Sequence, residues 1–197
     1  MGRGPVIALA VGALLAAGAA PAAAACEPGA PLENDPLAGT PHPEETVAPI
    51  VIGCWRVDGG KVEVHGRRMK AGRQGEDLLC LGTPAKVVCL TRWTPKKGRA
   101  IAGKACGGGN GSVYVEGTVS ERVKRVDVRY RDPGGTRRSR RASIVWLRGS
   151  VAKKLKTKPF GYYRSHTVDG EVIESIARDR DGNVLGRVAQ TGCNRPR

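Results

Sequence analysis

The stretches Val113-Tyr-Val-Glu-Gly-Thr-Val119 and Val126-Asp-Val-Arg-Tyr130 decide the fold class. In the first stretch, the residues that share one face of an extended chain are Val113, Val115, Gly117 and Val119. In the second, they are Val126, Val128 and Tyr130, with Asp127, Arg129 and Arg131 on the opposite face. A period of two is that of a β-strand with one face turned to a core. The pair therefore predicts two consecutive strands.

Similar short runs, separated by turn residues, occur on both sides of this pair. The runs predicted as strands are residues 50–57, 61–65, 77–81, 86–90, 142–147, 162–168, 172–177 and 184–188. Residues 151–156 are the one segment that favours a short helix, and Asp181-Gly182 predicts a type I′ hairpin turn. Many short strands at this spacing predict an all-β protein and favour a β-sandwich.

Residues 1–25 are predicted to be a secretory signal peptide. Arg3 precedes about a dozen uncharged and mostly apolar residues, a run too short to span a bilayer. Pro21 and four alanines follow, which places the expected cut after Ala25 or Ala24. We therefore expect a secreted or cell-surface protein, with no transmembrane helix after cleavage.

Cys26 has two interpretations, because it directly follows the expected cut. Ala24-Ala25-Cys26 resembles a bacterial lipoprotein box, in which the cysteine becomes the lipidated first residue, although Ala23 stands where leucine is usual. Lipidation of Cys26 would give a lipid-anchored form. Otherwise Cys26 is an ordinary cysteine near the new N-terminus.

All six cysteines lie after the expected cut, and an even set in an exported chain favours disulfides. Besides Cys26, the disulfide candidates are Cys54, Cys80, Cys89, Cys106 and Cys193. Six cysteines allow fifteen pairings, so the connectivity stays open. Cys80 and Cys89 flank Pro84 in a predicted hairpin and are candidates to pair across it. The chain has no Cys-x-x-Cys, and its histidines are scattered, so we predict no metal site and no cofactor.

Charge divides the chain unevenly. Residues 26–49 carry five acids and no Lys or Arg and are rich in proline, which predicts a disordered acidic leader. Residues 50–197 carry 32 basic and 13 acidic residues, a net charge of +19. Such a field attracts polyanions and is screened by salt. The alternative is that the arginines form a solvated surface without any ligand.

The two densest basic runs form the candidate polyanion site. They contain Arg137, Arg138, Arg140 and Arg141 in the first run and Lys153, Lys154, Lys156 and Lys158 in the second. Guanidinium groups form paired hydrogen bonds to phosphate or carboxylate, and each phosphate contact releases counterions. The predicted partner is an anionic cell-wall polymer or polysaccharide.

Aromatic residues are too few to form a dedicated nucleic-acid site. Only eight occur in the whole chain, which disfavours a platform for stacked bases. The aromatics near the basic runs and the three tryptophans are better interpreted as core residues. They are Phe160, Tyr162, Tyr163, Trp55, Trp93 and Trp146.

No catalytic residue is predicted. Ser165, His166 and Asp169 are neighbours in one strand, which does not bring them into the geometry of a catalytic triad. The segment around Cys193 resembles that of wall L,D-transpeptidases, but Thr191 occupies the place of the required histidine, and a disulfide explains Cys193 better. The oxygens near Asp179 are too few for calcium. We therefore predict that the protein is not an enzyme.

Three segments resemble bacterial immunoglobulin-like domains of extracellular proteins: Val115-Glu-Gly-Thr-Val119, Val126-Asp-Val-Arg-Tyr130 and Ile173-Glu-Ser-Ile-Ala-Arg-Asp-Arg-Asp-Gly-Asn183. These domains commonly open with a Gly-x-Val strand and finish with an Ala-x-Asp-x-x-Gly-Asn hairpin. The resemblance covers about residues 111–190 and implies an immunoglobulin-like β-sandwich over residues 111–192. A smaller cysteine-containing β segment, residues 50–110, would precede it, as in some secreted proteins of GC-rich bacteria. The two basic runs depart from the family pattern.

The resemblance implies a binding or spacer role, with no catalytic residues to carry over. Together with the positive charge, it leaves two candidate functions. The first is a secreted, non-enzymatic module of the cell surface or wall with affinity for anionic polymers. The alternative is a structural or protein-interaction domain that has no polyanion ligand.

Overall fold

The computed structural model describes residue 26 and residues 44–57, 60–71, 75–83, 86–109 and 112–190. The predicted signal peptide, residues 27–43 of the predicted leader, and Cys193 lie outside the described residues. The first strand begins at Glu44, so the last six residues of the range predicted as a leader are part of a strand.

The described residues form β-strands and one short helix. In chain order these are β1 (Glu44–Val57), β2 (Gly60–Ala71), β3 (Glu76–Thr83), β4 (Lys86–Leu90), β5 (Ile101–Gly109), β6 (Ser112–Val119), β7 (Arg125–Arg131), β8 (Arg137–Arg141), β9 (Ser143–Leu147), α1 (Gly149–Lys154), β10 (Phe160–Arg164), β11 (Val168–Asp169), β12 (Glu171–Arg178) and β13 (Val184–Ala189).

These strands form three antiparallel sheets. Sheet A has the order β1-β2-β3-β4. Sheet B has the order β11-β6-β10-β9, and β5 pairs with β6 along nearly its whole length. Sheet C has the order β13-β12-β7-β8. The prediction of an all-β, sandwich-like fold is confirmed.

Sheet B is the middle layer, with a core on each face. The side chains that join it to sheet C include Val115, Val119, Val126, Val128 and Tyr163. Those that join it to sheet A include Trp55, Val64, Leu81, Leu147, Phe160 and Tyr162. Because β6 and β10 are covered on both sides, every residue from Tyr114 to Val119 is buried. The cysteine-containing β segment thus shares a core with the sandwich.

Strand β10 packs against a different sheet on each of its two faces. Phe160 and Tyr162 point toward sheet A, whereas Gly161 and Tyr163 point toward sheet C. A Cβ at Gly161 would lie 2.7 Å from Val119 and 2.8 Å from Ile144. The chain therefore needs glycine between two large aromatics at this point.

The predicted short helix is present as α1, which begins two residues earlier than expected and ends at Lys154. Leu155, which caps it, is fully buried in the core between sheets A and B. Lys156 follows with a positive φ of 48°, a left-handed conformation that commonly terminates helices. No helix in the described part of the chain is long and apolar enough to cross a membrane.

The hairpin between β12 and β13 does not contain the predicted type I′ turn. A type I′ turn requires positive φ at two consecutive central residues, but among the described residues of this loop only Gly182 has one, at 90°. The Asp179 N–H donates to the Asn183 carbonyl at 3.1 Å. The loop is therefore the three-residue type, in which a type I turn is followed by a left-handed glycine and a bulge.

Candidate functional site

The predicted arginine run forms strand β8, which lies at the edge of sheet C. All five of its residues are exposed, and no described strand pairs with the outer edge of β8. The Arg138 Nε donates to Asp132 at 2.6 Å, and this hydrogen bond lowers the pKa of Asp132. Arg137, Arg140 and Arg141 form no ion pair with any described residue. The run is thus a row of accessible positive charge.

The predicted lysine run lies at a different place in the fold. Its four lysines are exposed in α1 and the turn that follows it, beside sheet A. Arg68 of β2 fixes this turn by donating to the carbonyls of Leu155 at 2.6 Å and Lys156 at 2.9 Å. Arg68 also pairs with Asp77. The lysines therefore project from an anchored turn.

The structure does not bring the two runs together as one site. Strand β9 separates them along the chain and belongs to sheet B, whereas β8 belongs to sheet C. At about 3.3 Å per residue, the extended path from Arg141 to Arg148 covers roughly 20 Å. The aromatics near the lysine run are core residues as predicted: Phe160, Tyr162 and Tyr163 are fully buried.

Sheet C turns one face to sheet B and the other outward. Because Val126, Val128 and Tyr130 face the core, the alternate residues of β7 and their partners in the neighbouring strands face outward. We call this outward surface the arginine face. Its arginines are Arg125, Arg129, Arg131, Arg137, Arg141, Arg178 and Arg187, and its acids are Asp127, Glu171 and Glu174. Sequence reasoning placed only Arg137 and Arg141 in a site.

Two carboxylates hold pairs of arginines on this face. Asp127 Oδ2 accepts from Arg125 Nε at 3.1 Å and from Arg178 Nε at 2.9 Å. Glu174 Oε1 accepts from Arg129 Nη1 at 3.0 Å and from Arg187 Nη1 at 2.9 Å. Each acid neutralises one charge of two, so both groups keep a net positive charge.

Ile176 explains how the charged face is packed. It lies opposite Asp127 and Arg187 in the outward row, yet it is fully buried. Long arginine stems cover apolar surface while their charged ends stay in water. We infer that the flanking arginines of the face cover Ile176.

A third arginine–carboxylate group is buried between sheets A and B. Tyr162 donates its hydroxyl to Glu116 Oε2 at 2.7 Å, and Arg164 Nη1 lies 3.7 Å from Glu116 Oε1. The Arg164 guanidinium stands 4.0 Å from the centre of the Tyr114 ring. Burial, with the nearby Glu116 charge, raises the pKa of Tyr162 well above its usual value. Tyr162 therefore stays protonated and donates to the carboxylate.

The residues considered for catalysis or calcium make local contacts. The Ser165 hydroxyl accepts from the Val115 N–H at 3.0 Å, and Asp169 accepts from the Ser112 hydroxyl at 2.5 Å. Asp179 is held by Asn183, whose side-chain hydrogen bond lowers the pKa of the Asp179 carboxyl. No group of three or more His, Cys, Asp or Glu side chains among the described residues is arranged to hold a metal.

The disulfides agree with the interpretation of the cysteines. Cys80 and Cys89 lie directly opposite each other in β3 and β4 and are bonded, as the predicted hairpin suggested. Cys26 is bonded to Cys54, with the two Cα atoms 6.0 Å apart. Cys106 is also disulfide-bonded, and none of the described cysteines is free.

Comparison with known proteins found no match to this chain. No protein-family model, curated protein or solved structure matches the chain. The resemblance to bacterial immunoglobulin-like domains therefore stays a prediction, and the function has to be argued from the residues themselves.

Proposed function

We propose that this protein is an exported, non-enzymatic module of the cell surface or wall that binds anionic polymers. Strand β8 is the observation that carries the proposal. It presents four arginines in five exposed residues, and three of these arginines have no acidic partner in the described part of the chain. Arginine forks form paired hydrogen bonds to phosphate and carboxylate oxygens.

Charge beyond this strand supports the same proposal. The arginine face adds five more arginines against three acids, and the whole chain has a formal net charge of +15. A potential of one sign over a broad surface concentrates polyanions and speeds their association. Binding of this kind weakens steeply with salt, because each contact releases counterions.

Retention on columns of immobilised heparin or wall polymer tests the proposal. We expect the mature protein to elute well above physiological salt, and the variant with Arg137, Arg138, Arg140 and Arg141 all changed to Ser to elute earlier. Elution of the native protein below about 0.15 M salt, where the Debye length is about 8 Å, would contradict polyanion binding. Identical elution of the variant would contradict the role of β8.

The structural or protein-interaction alternative also has an observation in its favour. Charged residues on an edge strand prevent that edge from pairing with another sheet, and β8 is such an edge. In this case the Ser variant would self-associate more strongly, whereas the native protein would show no retention. Light scattering of both proteins, beside the column, distinguishes the two functions.

We further propose that the protein is freely secreted after cleavage beside Cys26. The Cys26 sulfur is bonded to Cys54, and a sulfur in a disulfide cannot also carry a lipid thioether. Intact mass spectrometry without reduction should give an unlipidated chain that begins at or next to Cys26. A mass increase equal to a diacylglyceryl group would show the anchored form instead.

A further inference from the structure

Five of the seven arginines of the arginine face are exposed, and they stand in rows across sheet C. They are Arg129, Arg131, Arg137, Arg141 and Arg187. Arg131 lies opposite Arg137, Arg129 and Arg187 share Glu174, and Arg141 lies opposite Asp127. Successive outward residues of a strand are about 7 Å apart, and neighbouring strands are about 4.8 Å apart. Three rows that each contain at least one of these arginines therefore follow one another at intervals of about 7 Å along β7 and β8. Arg187 lies in the third row, opposite Ile176, and reaches Glu174 in the second.

The first row places two like charges opposite each other, and a bound anion would offset their repulsion. Like charges directly opposite each other in an antiparallel pair are destabilising, and Arg131 and Arg137 are such a pair. The nearest described carboxylate, Glu171, is 3.8 Å from Arg131 and half-exposed. An anion placed between the two guanidinium groups would bind both of them and end their repulsion.

The second row is held ready by Glu174. This carboxylate takes one N–H from Arg129 and one from Arg187, whereas each guanidinium has five N–H donors. The remaining donors stay available, and the two side chains are already ordered. Ordering before binding reduces the conformational entropy that a ligand must overcome.

The composition of the face selects the kind of ligand. Its described side chains are arginines, acids, Ser139, Ala189, the exposed Val184 and the buried Ile176, with no aromatic ring on which a sugar or base would stack. Recognition therefore depends mainly on the charged groups. A flexible backbone with one phosphate per repeat can place successive phosphates on successive rows, and arginine binds phosphate through paired hydrogen bonds.

We propose that the arginine face binds a linear phosphodiester polymer, one phosphate to a row, with Arg137 and Arg141 as the contribution of β8. This inference rests on the proposed function and narrows it. Wall phosphopolymers and single-stranded nucleic acid share the required chemistry. Arg138 and Arg140 leave β8 on the other side, next to Tyr130 and Val128, and take no part.

The side of β8 from which an arginine projects provides a matched test. We compare Arg137→Gln/Arg141→Gln with Arg138→Gln/Arg140→Gln, because both double variants lose two charges from the same exposed strand. Binding of the mature chain to labelled glycerol-phosphate oligomers and to oligothymidylate is measured by anisotropy over a range of salt. A third variant, with Lys153, Lys154, Lys156 and Lys158 all changed to Gln, tests the lysine run.

For the native protein, three phosphate contacts predict a slope of about −2 for log K against log salt, since each contact on a single strand contributes about −0.7. Affinity should rise with oligomer length up to about three to five phosphates and then level off. The Arg137/Arg141 variant should bind at least tenfold more weakly, with a slope nearer −1. The Arg138/Arg140 and lysine variants should each lose less than threefold.

Other results would overturn the inference in distinct ways. Equal losses in the two β8 variants would mean that only the general field acts. Tighter binding of a sulfated or uronate oligosaccharide than of both phosphodiesters would exclude the proposed ligand class. The tighter of the two phosphodiesters identifies the source. If the native protein binds no polyanion at all, the proposed function itself fails. If it binds polyanions but the variants or the oligomers rank differently from this expectation, only the present inference fails.

Discussion

Two of the arginine–carboxylate groups described above, those of Glu116 and Glu174, share the same chemistry and differ in exposure. Glu116 and Arg164 lie between sheets A and B, with side chains 3% and 16% exposed. Glu174 with Arg129 and Arg187 lies on the arginine face, where the arginines are 46% and 47% exposed. Water screens the second group and is nearly excluded from the first. The same residue types therefore have different consequences for stability and for binding.

The buried group helps to define one arrangement of the two sheets. A buried charge is tolerated when it is paired and hydrogen-bonded, and Glu116 has both Tyr162 and Arg164 as partners. The exposed group adds little to stability, since surface ion pairs are worth about 0–1 kcal/mol. Its arginines remain accessible to a ligand.

The largest expected effect comes from removing the buried carboxylate. Glu116→Gln should lower the free energy of unfolding by about 3–5 kcal/mol, because Arg164 would be left as a buried charge without its partner. Urea unfolding followed by tryptophan fluorescence measures this loss. The matched control is Glu174→Gln, which should change stability by no more than about 1 kcal/mol.

A second variant sharpens this result. Adding Arg164→Met to Glu116→Gln should recover much of the lost stability, because it removes the unpaired charge and keeps an apolar stem against Tyr114. Equal losses for Glu116→Gln and Glu174→Gln would show that burial does not separate the two groups as described.

Alkaline pH should lower the free energy of unfolding through the buried hydroxyl of Tyr163. Burial raises the pKa of Tyr163 from 10.0 to about 12, so the folded chain keeps a proton that the unfolded chain loses near pH 10. Stability should therefore be retained below pH 10 and fall as the pH rises to 12, by about 2.7 kcal/mol for two pKa units. Urea unfolding at pH 8, 10 and 11 shows the trend.

Tyr163→Phe provides the control for this titration, because it removes the ionising hydroxyl and keeps the ring. The variant should lose less stability than the native protein between pH 10 and 12. An identical pH dependence in both proteins would mean that Tyr163 contributes nothing to alkaline unfolding.

The smallest expected effect on stability comes from a substitution on the arginine face. Arg137→Gln should raise the free energy of unfolding by about 0.2–0.5 kcal/mol, because it removes the like charge opposite Arg131. The same variant should bind polyanions more weakly. A gain in stability together with a loss of affinity is expected of a residue kept for binding, and a loss of stability would contradict the described repulsion.

Local pattern predicted much of the fold because strands, turns and hairpin disulfides depend on neighbouring residues. The alternation through Val113 and Val126 located β6 and β7, and the spacing of Cys80 and Cys89 around Pro84 indicated their bond. The type I′ turn at Asp181-Gly182 was wrong because the same dipeptide also suits a longer loop with a single left-handed glycine.

The candidate site was only partly predictable, because it depends on the register of strands that are distant in sequence. Arg137 and Arg141 belonged to a visible run of charge. Arg129 and Arg187 attracted no attention, since each is one arginine among many until β12 brings both onto Glu174. Grouping the lysine run with the arginine run by sequence distance was misleading, because β9 leads the chain from sheet C into sheet B.

The sequence by itself determined which side chains of each strand share a face, because a side chain's side follows from the two-residue period of the backbone. It also determined the strong positive charge and the even number of cysteines. Only the tertiary structure decided what each face meets. Tyr114, Glu116 and Thr118 alternate with the valines of β6 as a solvated face would, yet sheet A covers them. Arg129 and Arg131 alternate in the same way and stay exposed, because no described part of the chain forms a layer beyond sheet C.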